Sequence, residues 1–183
     1  MSPFTYQDGI YRALWDPYEI VAFGTMIRAA METIKSGKPV DPVRQKLLPP
    51  LSKDSTVAAE FQRLAGSQIQ DAKLKNLQEL GLLLVANLPT HDNGELVEVT
   101  ILESDVQPAL QALTALRVFL GAKLEIETDE DSEILFNLLQ NATENFEETH
   151  TNVAREQQMY LASVFFAAGF VQETLLAALT GRH

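Results

Sequence analysis

The chain contains two kinds of hydrophobic pattern, one typical of strands and one typical of helices. Residues 3–7 and 10–15 are short runs rich in aromatic and aliphatic side chains, separated by Asp8-Gly9. An Asp-Gly pair between such runs is typical of a tight hairpin turn, because its two residues accept a positive φ. Residues 95–102, "ELVEVTIL", alternate polar and apolar side chains, which predicts a half-buried strand. We expect this strand to pair with the hairpin.

Most other apolar residues recur every three or four positions, the spacing of helices that bury one face. A first helix should begin at Asp16-Pro17, because aspartate can cap free N–H groups and proline suits the first turn, and should end near Ser36. Another should follow a cap at Ser104 or Asp105, and two more are expected over 131–142 and 150–180. The inner face of the helix after this cap should comprise Val106, Leu110, Leu113, Leu116 and Leu120.

The region between residues 38 and 88 has a more broken pattern. Residues 38–54 contain four prolines and no apolar period, so they should form a connecting loop at which two halves could hinge. A helix should begin at Ser55 or Thr56 and reach about Ala65, and Gly66-Ser67 should interrupt it. A longer helix should follow, with Leu74, Leu77, Leu80, Leu84 and Leu88 in one row. The apolar residues expected to point from the shorter helix into a core are Val57, Phe61 and Leu64.

Together these elements predict an α+β fold that is mostly α. Five or six helices should pack with a small antiparallel sheet made of the N-terminal hairpin and the strand near 95–102. At 183 residues the chain is long enough to bury a sizeable core, and we expect residues 1–183 to form a single helix-rich domain. The apolar stretch 159–171 could be a central core helix or the seam of a homodimer.

Composition narrows the classes of function. The formal net charge is −11, and residues 91–183 carry most of the excess acid. A net negative charge repels the phosphate backbone, which disfavours direct DNA binding. Cysteine is absent, which excludes disulfides, thiolate metal sites and cysteine nucleophiles. The N-terminus has no signal-peptide pattern and 159–171 is too short to span a bilayer, so we expect a cytoplasmic protein without membrane attachment.

Candidate chemistry is sparse. Glu147 and His150 have the Glu-x-x-His spacing of di-iron helical bundles, with Glu144 and Glu148 on one helical face nearby. Those bundles need two copies of the motif, and this chain has one, so a solvated acidic face is the simpler interpretation. No Gly-x-Ser-x-Gly turn and no phosphate-binding glycine loop occurs. We therefore predict a protein that is not an enzyme and that needs no cofactor or metal.

Several stretches in fixed order resemble a known family. They are "LLPPL" followed by "STVAAEFQRLAGSQIQDAKLKNL" (47–77), "LQALTALRVFLGAKL" (110–124), "FAAGFVQETLLAAL" (166–179) and the N-terminal "GIYRALWDPYE". The sequence is similar to an actinobacterial family long described as a domain of unknown function and now labelled AosR-type oxidative stress transcriptional regulators. The resemblance implies a cytoplasmic regulator that acts through a protein partner such as a sigma factor or RNA polymerase.

The resemblance also implies a set of charged positions. Each lies among apolar helical neighbours, and partly buried charges generally require partners, so they could tie helices together or bind a partner protein. One departure is the missing cysteine, since peroxide sensing often uses a low-pKa thiol. The charged positions that match the family pattern are Glu60, Arg63, Lys73, Arg117 and Glu173.

Three functional hypotheses follow from the sequence. The first is a non-enzymatic regulator of oxidative-stress transcription that acts through protein partners. The second is an adaptor or scaffold in cytosolic proteostasis, which rests on the acidic second half. The third is a hydrolase or metal enzyme that uses Glu147 and His150.

Overall fold

A small antiparallel sheet and six α-helices make up the part of the chain that the computed structural model describes, residues 1–36, 41–50, 52–86, 88, 94–144 and 153–181. The mostly α, α+β class predicted from the sequence is confirmed. The strands are β1 (Thr5–Gln7), β2 (Ile10–Trp15) and β3 (Val97–Leu102). The helices are α1 (Pro17–Lys35), α2 (Pro42–Leu47), α3 (Ser55–Ala86), α4 (Val106–Lys123), α5 (Asp129–Glu144) and α6 (Val153–Thr180).

The sheet has the strand order β1-β2-β3, and both pairings are antiparallel. Asp8 and Gly9 form the hairpin turn with φ values of 54° and 81°, the conformation expected of an Asp-Gly hairpin. β3 lies beside β2, with Tyr11 opposite Ile101, so the predicted partnership of this strand and the hairpin is confirmed. Alternate residues of β2 are buried, which places one face of the sheet on the helices.

α1 begins where the sequence predicts. The Asp16 side chain accepts a hydrogen bond from the Tyr18 backbone N–H at 2.8 Å, and the Asp16 backbone N–H donates to the Glu19 carboxylate at 2.9 Å. This reciprocal arrangement satisfies free N–H groups at the helix start. One face of α1 packs into the core, where Ile20, Ile27 and Ile34 are buried.

The predicted loop 38–54 contains a helix that the sequence pattern did not indicate. Asp41 caps α2 by accepting a hydrogen bond from the Val43 backbone N–H at 2.9 Å, and Leu47 is buried in the core. Arg44 on α2 donates from Nε to the carbonyl oxygen of Ile34 at the end of α1. The cap lies between prolines and the helix is too short for a visible period, so pattern analysis missed it. Residues 37–40 and 51 of this segment lie outside the described residues.

The predicted break at Gly66-Ser67 is wrong, because α3 runs without interruption from Ser55 to Ala86. A single glycine in a helix interior costs only about 1 kcal/mol relative to alanine, and the helix-forming residues on both sides offset that cost. Gly66 is buried, so its missing side chain also removes bulk from a packed position.

α4 is the central helix of the fold. Its predicted inner face is confirmed, since Val106, Leu110, Leu113, Leu116 and Leu120 are all buried. The helix contacts α2, α3 and α6. The predicted side-chain cap at Ser104 or Asp105 is wrong: a 3₁₀ turn, Glu103–Asp105, leads into the helix, and the Asp105 side chain makes no capping hydrogen bond. Ser104 instead donates to the Asp105 carboxylate at 3.0 Å.

α6 packs along α4 and α5. Among the described residues it is the one helix that is long and apolar enough to cross a membrane by length and composition, a test that core helices of water-soluble proteins also pass. Part of its surface belongs to the hydrophobic core, including Phe165, Ala168, Val171 and Leu175. These core contacts account for only part of its apolar character, since 28% of its apolar window is buried.

Candidate interaction site

The N-terminal part of α3, Ser55–Leu64, exposes an apolar stripe; we call this segment the α3 arm. Val57, Phe61 and Leu64 follow the spacing of one helical face and are 51%, 47% and 61% exposed. The sequence predicted that these three side chains point into a core, and this prediction is wrong. At about 1.5 Å per residue, the arm is about 15 Å long.

The neighbouring helix explains why the stripe is uncovered. Residues 20–31 of α1 line one groove with residues 78–88, and residues 31–35 of α1 line a second groove with residues 71–82. The two helices therefore run antiparallel, and the C-terminal end of α1 lies beside the middle part of α3. The α3 arm continues beyond that end, where α1 has no residues left to cover it.

The start of the α3 arm is well defined. The Asp54 side chain accepts hydrogen bonds from the backbone N–H groups of Thr56 at 2.8 Å and Val57 at 3.1 Å. Such a cap satisfies donors that the first turn of a helix otherwise leaves free. The arm therefore presents its stripe from a helical backbone that is fixed at its first turn.

Glu60 and Arg63, two of the predicted charged residues, form an ion pair on the surface of the arm. Arg63 donates from Nε at 3.0 Å and from Nη2 at 2.7 Å to the two Glu60 oxygens. The hydrogen bonds from Arg63 lower the pKa of Glu60, and the same contact raises the pKa of Arg63. Both residues belong to one helix and both are exposed, so this pair does not join two helices.

Lys73 lies at the edge of the core-facing row of α3. It is half-buried, one turn before the buried Leu77, and it forms no ion pair within the described part of the chain. Its stem can pack along the apolar row while the ammonium group reaches water.

Arg117 and Glu173 are brought together by the packing of α4 on α6. Both line a cavity of about 580 Å³ whose walls also include Phe136, Phe165 and Phe166. They form no ion pair with each other or with another described residue. Instead, Arg117 donates from Nη1 to the side-chain oxygen of Gln172 at 3.0 Å. The five predicted residues therefore occupy three separate places: the α3 arm, the α3 row and this cavity.

The structure does not test the metal hypothesis that rests on Glu147 and His150. Among the described residues, no three histidine, aspartate or glutamate side chains are arranged to hold a metal ion. Glu147, Glu148 and His150 lie outside the described residues, so the structure gives no geometry for the Glu-x-x-His motif.

Comparison with known proteins gives one match. The model of a family described as a domain of unknown function, DUF2017, matches residues 1–179. The chain belongs to this family. No curated protein and no solved structure matches it.

In this DUF2017 chain, sequence patterns missed the residues that orient Arg117. Gln172 accepts from Arg117 and donates from its Nε2 to the Thr114 hydroxyl at 2.9 Å, which joins α6 to α4 twice. The Arg117 guanidinium also lies 5.5 Å from the centre of the Phe165 ring. The phenylalanines spaced along α6 were a usable signal, but their proximity to Arg117 depends on how two distant helices pack.

Proposed function

We propose that this chain is a non-enzymatic, cytoplasmic regulator of oxidative-stress transcription that binds a protein partner through the α3 arm. The AosR-type resemblance motivates the process and the class of partner, a sigma factor or RNA polymerase. The observation that carries the proposal is the exposed stripe of Val57, Phe61 and Leu64 beside the Glu60–Arg63 pair.

The composition of the α3 arm supports a protein partner. Protein interfaces combine a few apolar anchors, often aromatic, with arginine and a polar rim. The arm has an aromatic residue at the centre of its stripe and a charged pair on the same helical segment, since Glu60 and Arg63 flank Phe61 in the sequence. An apolar groove on a partner helix would cover the stripe, and polar groups at the groove edge would meet the charged pair.

Because the chain has no cysteine, the proposal places oxidant sensing in the partner. The chain has four methionines and no thiol, and one of the methionines, Met26, is buried. Without a thiolate, the chain cannot form the disulfide or sulfenic acid by which peroxide is commonly sensed. The regulator would therefore hold or release a partner whose own state reports the oxidant.

A capture experiment tests the proposal. The tagged full-length chain is incubated with a lysate from an actinobacterium that encodes it, and bound proteins are identified by mass spectrometry. We expect a sigma factor or RNA polymerase subunits to be recovered with the native chain. Replacing Val57, Phe61 and Leu64 together by serine should abolish the recovery of these transcription components. Because the three side chains are exposed, the substitutions leave the core intact.

The same helix offers a matched control. Leu82 and Val85 are 61% and 56% exposed at the other end of α3, and replacing both by serine changes the surface in the same way. This control should recover the transcription components at the native level. Recovery of chaperone or protease subunits in their place would contradict the proposal and favour the proteostasis adaptor.

A further inference from the structure

A second site lies between α4, α5 and α6 and shares no residue with the α3 arm. It is the cavity of about 580 Å³ described above, a size within the range of small-molecule sites. Phenylalanine rings dominate its wall, and the charged side chains in its lining belong to Arg117 and Glu173. Met1 also lines the cavity, and its N-terminal ammonium group is paired with Glu19 at 2.9 Å. The phenylalanines of the wall are Phe136, Phe165, Phe166 and Phe170.

The aromatic rings form a connected apolar surface. Phe136 of α5 meets Phe166 of α6 edge to face, with ring centres 5.3 Å apart, and Phe165 and Phe166 have the same separation and a similar angle. Edge-to-face contacts hold the rings in defined orientations. The apolar part of a ligand would therefore pack against rings of defined orientation.

The Arg117 guanidinium has unused hydrogen-bonding capacity. A guanidinium has five N–H donors, and within the described residues Arg117 uses one, to Gln172. Its Nε is shielded from solvent and has no acceptor among the described residues. The donors open to an incoming ligand are therefore those of the terminal Nη groups, and a carboxylate can accept two such N–H groups at once.

The guanidinium is also held in place before any ligand arrives. Gln172 fixes Nη1 from one side and is itself fixed by Thr114. The guanidinium lies against α6 at Gly169, where a Cβ atom would be 3.7 Å from Nε and 3.9 Å from Nη2. Groups that are oriented in advance lose less freedom on binding, which favours affinity.

We infer that this cavity binds a small carboxylic acid with an aromatic or branched apolar body. The carboxylate would pair with Arg117, and the apolar body would lie on the phenylalanine surface. Glu173 lines the same cavity from an exposed position. Its negative charge would repel the carboxylate of the ligand, so it lowers the affinity for the acid and disfavours a second negative group on the ligand near it. The inference is independent of the α3 arm and of the proposed partner.

A pair of matched probes tests this inference. 3-Phenylpropanoate and its primary amide have nearly the same shape and differ in charge. Each is titrated into the full chain, and the resonances of the Gly169 amide and the Arg117 Nε–H are followed by NMR. We expect both to shift with the acid, and we expect the acid to bind about tenfold more tightly than the amide.

Three variants separate the contributions. Arg117→Gln should abolish the preference for the acid, while Arg155→Gln, which removes the same charge from an exposed position on α6, should keep it. Glu173→Gln should tighten binding of the acid and leave that of the amide unchanged. The expected result for this last variant is a gain in affinity for the acid, and a folding defect cannot produce such a gain.

Any of three results would overturn the inference. The first is equal affinity of acid and amide for the native chain, or the absence of any shift at Gly169 and Arg117. The second is a large shift of the Arg117 Nε–H in ligand-free Glu173→Gln together with no binding of the acid, which would make Glu173 the occupant of the guanidinium. A peptide that binds at these resonances through its C-terminal carboxylate, with no binding of the free acid, would also contradict it.

Discussion

At the scale of single residues, charged side chains of this protein occur in two different settings. The Glu60–Arg63 pair is exposed and local to one helix, and exposed pairs of this kind add little to stability. Arg117 is half-buried and oriented by a neutral amide from another helix. The contrast separates a charged pair available for surface recognition from a guanidinium available for a ligand.

Gly169 provides a residue-scale prediction. It lies inside α6, and a Cβ there would meet the Arg117 guanidinium at ordinary contact distances of 3.7–3.9 Å. Gly169→Ala should therefore raise the free energy of unfolding by about 0.5–1 kcal/mol, because alanine restricts the unfolded chain and favours the helix. Urea denaturation followed by circular dichroism measures the change. A loss of stability would mean that the guanidinium cannot give way to a methyl group.

At the scale of elements, α3 is one helix with two different surroundings. Its C-terminal half is a core element, since Leu77, Leu80 and Leu84 are buried against the rest of the fold. Its N-terminal arm carries the same kind of apolar spacing, and within the described part of the chain its stripe is left exposed. Periodicity indicates which residues share a face, but it does not indicate what lies against that face.

Two leucines on α3 test this division. Leu77 is 0% exposed, and Leu77→Ala should lower the free energy of unfolding by about 2–5 kcal/mol, the usual range for a buried leucine. Leu64 is 61% exposed, and Leu64→Ala should change it by no more than about 0.5 kcal/mol. Chemical denaturation of both variants under identical conditions gives the comparison. A large loss at Leu64 would place the arm in the core, as the sequence pattern predicted.

The start of α5 has a pH-dependent cap. Asp131 accepts hydrogen bonds from the backbone N–H groups of Glu127 at 3.0 Å and Thr128 at 2.8 Å, and these bonds lower the pKa of its carboxyl. The Asp131 backbone N–H donates in return to the Thr128 hydroxyl at 3.2 Å. Because the charged form is favoured in the folded state, the stabilisation is complete above the unfolded pKa of about 3.9 and is lost as the pH falls through the lowered folded-state pKa.

The effect of Asp131→Asn on the protection of backbone amides should therefore depend on pH. The native chain should protect the amides of the first turn of α5 better than the variant at pH 7, and the difference should disappear as the pH falls through the lowered folded-state pKa of Asp131. Amide hydrogen exchange across this range measures it, and comparison of the two proteins cancels the titration of the other carboxylates. A difference that persists unchanged at pH 2 would show that the carboxylate charge does not matter to the cap.

The same elements show how far the sequence can be interpreted on its own. Local signals predicted the Asp-Gly hairpin, the start of α1 and the inner face of α4, because turn residues, caps and apolar spacing act within a few residues. The continuity of α3 was missed because flanking helix formers outweigh one glycine. The exposure of the arm and the Arg117 cavity depend on where α1 ends and how α4 meets α6, and no local pattern contains that information.

At the scale of the whole molecule, the fold presents two candidate recognition surfaces that do not share residues. The α3 arm has an apolar stripe suited to a protein groove, and the Arg117 cavity has a guanidinium suited to a small acid. The net charge of −11 disfavours nucleic acid as a partner for either surface. If both proposals hold, the protein binds a partner protein and a small acid at separate places.

The central claim is that the α3 arm binds the transcription partner, and one affinity measurement tests it most directly. The purified full chain is titrated calorimetrically with the purified sigma factor recovered by capture, alongside the Val57, Phe61 and Leu64 triple serine variant and the Leu82 and Val85 double serine control. We predict that the triple variant weakens binding at least 100-fold, since apolar interface anchors each contribute about 1–2 kcal/mol or more, and that the control binds like the native chain. Native affinity in the triple variant, with unchanged stability, would contradict the account.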